Sequence, residues 1–158
     1  MIGWEEIAKC DLDRSTITQL WVNKFGLNAA AQGSKVIMSP ATQIYLDMKY
    51  DSTTKLGLDW AGVVEIKTSY NWDPAELVTG LTEKDILGVE APLWSETIVT
   101  IDDLEYLAFP RLLSVAEIGW SQKDRRNWED YKFRLGTHGK RLENLEVNFY
   151  RSKQVEWR

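Results

Sequence analysis

The property of this sequence that most restricts its fold is a repeated change of period. Short runs that alternate, or are rich in β-branched residues, are each followed by a helical or irregular stretch. Met1–Trp4 reads as the end of a strand and Glu5–Lys9 as a short helical turn. Thr16-Ile17-Thr18-Gln19-Leu20-Trp21 alternates and reads as a second strand, and the alanine-rich stretch Asn28–Gln32 as a helix stopped by Gly33. A third strand is expected over Lys35-Val36-Ile37-Met38-Ser39, just before Pro40, and a fourth over Gly88–Trp94. Between them Ala41–Asp85 has little periodicity, and a stretch of that length inside a compact domain is usually functional.

Helices close the chain. Thr100 is placed to cap a helix from Ile101, with Asp102 and Asp103 favouring its positive end. Leu104, Leu107, Ala108, Leu112 and Val115 keep one apolar face, which Pro110 should kink or interrupt. A last helix over about Trp128–Leu142 carries the stripe Tyr131, Leu135, His138, Leu142 and Leu145. Strands joined through helices imply a parallel sheet. A full (β/α)8 barrel needs about 250 residues. The expected architecture is α/β, about four parallel βα units in one domain over residues 1–158; if these belong to a barrel, they are half of a TIM-type one, closed by dimerisation. The opening in Met1-Ile2-Gly3-Trp4 reads as mid-core, as in a piece of a longer chain or an unusual half-barrel.

Composition narrows the function. The net charge of −5 and the lack of a basic run argue against a nucleic-acid partner. No apolar stretch approaches the roughly 20 residues that span a bilayer. Cys10 stands alone, so neither an internal disulfide nor a cysteine metal cluster is available, and no cofactor is implied. Eight tryptophans serve either as core or as platforms for the apolar face of a sugar ring. In barrels, functional side chains gather at the C-terminal ends of strands and in the loops after them. Here those positions hold Trp4, Trp21, Tyr45, Asp47, Trp94 and Glu96. Trp72, Trp120, Trp128 and Trp157 are assigned to packing, Glu5 and Glu6 to a helix start, Glu90 to a paired position within a strand, and His138 to a helix face.

Several ordered strings resemble the β-N-acetylhexosaminidases of glycoside hydrolase family 20. They are Ile2-Gly3-Trp4-Glu5-Glu6-Ile7, Tyr45-Leu46-Asp47-Met48-Lys49-Tyr50, Leu56-Gly57-Leu58-Asp59-Trp60-Ala61-Gly62 and Gly88-Val89-Glu90-Ala91-Pro92-Leu93-Trp94-Ser95-Glu96. Phe109-Pro110-Arg111, Ala116-Glu117-Ile118-Gly119-Trp120 and Asn148-Phe149-Tyr150-Arg151 follow, so the resemblance runs through essentially the whole chain. It implies the C-terminal half of the catalytic barrel. Trp4, Trp21 and Trp94 match tryptophans that enclose the terminal sugar and its acetamido group. Tyr45 matches the tyrosine that holds the acetamido oxygen, and Asp47 and Glu96 match acids that accept from sugar hydroxyls. Trp60 resembles a tryptophan at the pocket mouth.

The family works by substrate-assisted retention, in which the acetamido oxygen attacks the anomeric carbon. An Asp-Glu pair assists it: the glutamate protonates the leaving oxygen and the aspartate orients the acetamido group. That pair belongs to a strand before the segment matching Met1–Trp4, and no Asp-Glu dipeptide occurs here. The family's sugar-clamping arginine on an early strand also has no counterpart, so no catalytic residue is transferred. The resemblance thus implies an N-acetylhexosamine-containing glycan as partner, with weak or no hydrolysis. The alternative is a non-catalytic sugar-binding half-barrel that assembles as a homodimer or with a complementary N-terminal half.

Overall fold

A computed structural model describes all 158 residues. Its centre is a four-stranded sheet in the order β1-β2-β3-β4, parallel throughout. The strands are β1 (Ile2–Trp4), β2 (Ile17–Leu20), β3 (Lys35–Met38) and β4 (Ile86–Val89). A 3-10 turn over Glu5–Lys9 follows β1, and helix α1 (Gly26–Ala31) links β2 to β3. Gly33 ends that crossover at φ +82°, as its stop role requires. Helices α2 (Ala41–Ile44) and α3 (Ile66–Tyr70) lie between β3 and β4. Helices α4 (Ile101–Ala108), α5 (Arg111–Trp120) and α6 (Trp128–Asn144) complete the chain. None is long and apolar enough to cross a membrane.

The core forms on one side of the sheet. Leu20, Val36 and Met38 pack with Ala8, Ala29, Val115 and Ile118 from the 3-10 turn, α1 and α5. Because strand side chains alternate, Ile17, Gln19, Lys35 and Ile37 point to the opposite face. No helix covers that face: Lys35 is exposed and Ile17 and Ile37 are half-buried, whereas Gln19 is buried and donates to Ser39 Oγ (3.0 Å). A second cluster joins Ile66 and Tyr70 of α3 to Tyr131 and Leu135 of α6.

Several expectations need correction. The fourth strand spans Ile86–Val89, shifted toward the N-terminus of the expected Gly88–Trp94. Its last ladder bond is Glu90 N–H to Met38 O (3.1 Å), because β3 runs into Pro40 and offers no further partner. The Glu90 side chain is consequently exposed beyond the strand, its carboxylate not paired as expected. Pro110, by contrast, interrupts the apolar helix as expected: α4 ends at Ala108 and α5 starts at Arg111. Leu145 lies outside the buried stripe of α6 and is 64% exposed, since the helix ends before it. Trp72 is buried, and Trp128 and Trp157 are half-buried against the second cluster, but Trp120 is 93% exposed. It is the last residue of α5, where nothing is left to pack against it.

The supposedly irregular Ala41–Asp85 is also more ordered than its periodicity suggests. Leu58 N–H donates to Asp47 O (2.8 Å), Lys49 N–H to Leu58 O (2.7 Å) and Val64 N–H to Lys49 O (2.9 Å). These bonds fold residues 46–64 into a tight double layer with a bridge between Met48 and Leu58. Gly57 allows it: φ is +98°, and a Cβ there would lie 2.9 Å from Asp47 O.

Candidate functional site

At the C-terminal end of the sheet a cavity of about 440 Å³ is lined by Trp4, Glu6, Trp21, Tyr45, Asp47, Trp60, Trp94 and Glu96. All seven residues singled out in the sequence are brought together there, and Glu6 joins them. Its signal was available: Glu6 follows the end of β1 by two residues, where barrel chemistry collects.

The side chains are delivered by four segments, one at or after the end of each strand. Trp4 ends β1, and Trp21 follows the last residue of β2. Glu5 holds the loop after β2 in place. Far from being only a helix start, it is 0% exposed and accepts from the backbone N–H groups of Trp21 (3.2 Å), Asn23 (3.0 Å) and Lys24 (3.1 Å). Burial raises its pKa above the usual glutamate value and those three amides oppose the rise. Trp21 Nε1–H donates to Glu6 (3.0 Å), which fixes the indole in the wall. Tyr45 caps the end of α2, and Asp47 and Trp60 come from the double layer that follows it. Leu46 N–H donates to Pro92 O (2.9 Å), tying that layer to the segment that carries Trp94 and Glu96.

The aromatic rings form a connected wall. Trp4 and Trp94 have ring centroids 5.9 Å apart, Trp21 and Trp60 5.9 Å, Tyr45 and Trp60 5.9 Å, and Tyr45 and Trp94 6.4 Å. Such an arrangement offers flat apolar surfaces with a few polar groups between them, as small-molecule sites do. Burial pushes the Tyr45 hydroxyl up to about 12, so it stays a neutral donor at ordinary pH.

Asp47 is the polar centre. It is 2% exposed, and neither carboxyl oxygen has a hydrogen-bond partner. Burial, with the charge of Glu96 adding to it, raises its pKa. The amides of Asp47 and Trp94 and the charge of Arg111 pull the other way without completing a hydrogen bond. An unpaired buried carboxylate is costly, and its oxygens are acceptors waiting for O–H or N–H donors. Nowhere do three or more His, Cys, Asp or Glu side chains gather as metal ligands would.

Comparison with known proteins then decides the lineage. The catalytic-domain profile of glycosyl hydrolase family 20 matches residues 1–123. The chain belongs to glycoside hydrolase family 20. A β-N-acetylhexosaminidase of Cellulomonas fimi is 38% identical over 99% of this chain and 32% of its own length. The solved family 20 β-N-acetylhexosaminidase of Streptomyces coelicolor A3(2) superposes with a TM-score of 0.94 at 41% identity, over 99% of this chain and 33% of that one. The β-hexosaminidase of Streptomyces plicatus, solved as a mutant with its product GlcNAc, gives 0.94 at 42% identity with the same coverage. The chain thus spans about a third of the length of these relatives.

Proposed function

We propose that this chain forms the terminal-sugar pocket of a family 20 β-N-acetylhexosaminidase barrel, with residues 1–158 as the C-terminal part of its catalytic domain. Its ligand is the non-reducing N-acetylhexosamine of a glycan. Trp4, Trp21 and Trp94 enclose the ring and acetamido group, with Trp60 at the mouth. Tyr45 donates to the acetamido oxygen, and Asp47 and Glu96 accept from ring hydroxyls. The observation that carries this reading is the Asp47 carboxylate, buried without a partner in an aromatic cavity. Sugar hydroxyls are the donors it lacks.

Hydrolysis requires protonation of the leaving oxygen, and the chain offers no matched acid. Removing general acid catalysis commonly costs about 10²–10⁴-fold in rate. The purified chain is expected to bind N-acetylglucosamine, seen as a change in tryptophan fluorescence, while releasing little or no nitrophenol from 4-nitrophenyl N-acetyl-β-D-glucosaminide. Glu96→Ala should weaken binding. Turnover lost in that variant would mean that the chain has recruited an acid of its own. No binding at millimolar sugar would remove the reading.

A second reading, self-assembly or pairing with a complementary N-terminal half, is favoured by the uncovered sheet face. Parallel sheets are almost always covered on both faces. Here only one is, and both edge strands carry exposed apolar residues, Ile2 and Leu87.

A further inference from the structure

Arg111 begins α5 and is 0% exposed, well outside the cavity wall. A buried guanidinium normally pairs with a carboxylate. This one donates four hydrogen bonds, all to backbone carbonyls: Nη1 to Met48 (2.6 Å) and Val64 (2.9 Å), and Nη2 to Leu107 (2.8 Å) and Leu46. Its Cζ lies 3.7 Å over the ring of Tyr50, whose hydroxyl donates to Phe109 O (2.9 Å).

The choice of acceptors is specific. The carbonyls of Leu46 and Met48 flank Asp47, and the carbonyl of Asp47 itself turns the other way to accept from Leu58 N–H. The peptides on both sides of Asp47 are therefore gripped from opposite directions, which fixes its Cα. Tyr45 immediately precedes the gripped segment. Only a planar fork can hold acceptors along two edges at once, and an ammonium cannot reproduce it. The guanidinium charge also opposes the desolvation of Asp47.

We propose that Arg111 is the positioning residue of the sugar pocket: it aims Asp47 and Tyr45 at the ligand by clamping the backbone around them, without touching the ligand. This rests on reading the cavity as an amino-sugar site.

The test is N-acetylglucosamine binding by tryptophan fluorescence, with a double-mutant cycle between R111K and D47N. If Arg111 acts through Asp47, R111K raises Kd about tenfold in the wild-type background and less than about twofold in D47N, because coupled residues are non-additive. Hydrogen exchange should show faster amides at 46–49 and 58–64 in R111K, with β2 and β3 unchanged. Equal Kd for R111K and wild type overturns the inference, as does the same loss in both backgrounds. Absence of binding by the wild-type protein fails the sugar-site reading instead. If R111K does not fold, NMR of the wild-type Arg111 Nη protons decides. A shift on saturation with the sugar supports the clamp. Silent Nη signals while indole signals move overturn it.

Discussion

At Asp47, binding and stability pull in opposite directions. Burial raises its folded pKa above the ordinary 3.8, so the folded chain holds this proton to higher pH than the unfolded chain does. Its contribution to stability is complete below that value and is lost as pH rises through the folded pKa. Glu5 and Glu65 shift in the same direction, so only a comparison of variants isolates Asp47. Asp47→Asn should melt higher than wild type at pH 7, with the difference vanishing at acid pH in thermal scans. The same variant should bind N-acetylglucosamine roughly tenfold to a hundredfold more weakly, since charge-assisted hydrogen bonds contribute about 1.5–3 kcal/mol each. Glu5→Gln makes the converse case. The amide presents one acceptor where two oxygens hold three backbone N–H groups. At least one buried donor is stranded, and urea titration should show a loss of about 1–3 kcal/mol. The sequence placed Glu5 at a helix start but could not reveal its clamp, because all three donors lie 16–19 residues further on. The pocket residues were legible for the opposite reason. They stand at or just after strand ends, or in strings that match the family.

Among the elements, legibility followed length and partnership. β2 announces itself by alternation, β1 and β3 by short apolar runs, and α4 by Thr100, whose side chain and Asp103 form the reciprocal cap. The four-residue α2 and five-residue α3 are hardly longer than one turn, too short for a helical period to register. The end of β4 is set by Pro40, which has no N–H to donate to the next carbonyl of β4, a limit that the sequence of β4 itself does not contain. The double layer after β3 depends on Gly57. Gly57→Ala forces a side chain onto φ +98° and against the backbone of Asp47 and Lys49. We expect a loss of about 1–3 kcal/mol in thermal unfolding. Sugar binding should fall further than that loss alone would suggest, because the layer carries Asp47 and Trp60 and adjoins Tyr45.

For the whole molecule, the one-sided core is the governing fact. Helices cover the face bearing Leu20, Val36 and Met38, whereas the face bearing Ile17, Gln19, Lys35 and Ile37 has no such cover. Open edges and uncovered sheet surface drive association. Sedimentation of the purified chain at micromolar concentration is expected to show dimers or larger species, and a clean monomer would remove self-assembly. The four-stranded parallel α/β architecture was readable from the strand signals and the helical stretches between them. The closing partner was not, because no residue names what lies across a free edge.

Trp4 ends β1, at one edge of the sheet, and Trp94 lies in the segment that follows β4, at the other edge, yet their indole centroids are 5.9 Å apart. Two such chromophores at that separation couple their electronic transitions. The protein therefore carries an optical gauge of its own curvature: flattening the sheet pulls the rings apart, and the paired circular-dichroism bands of the indoles fade before far-ultraviolet signals record any loss of secondary structure.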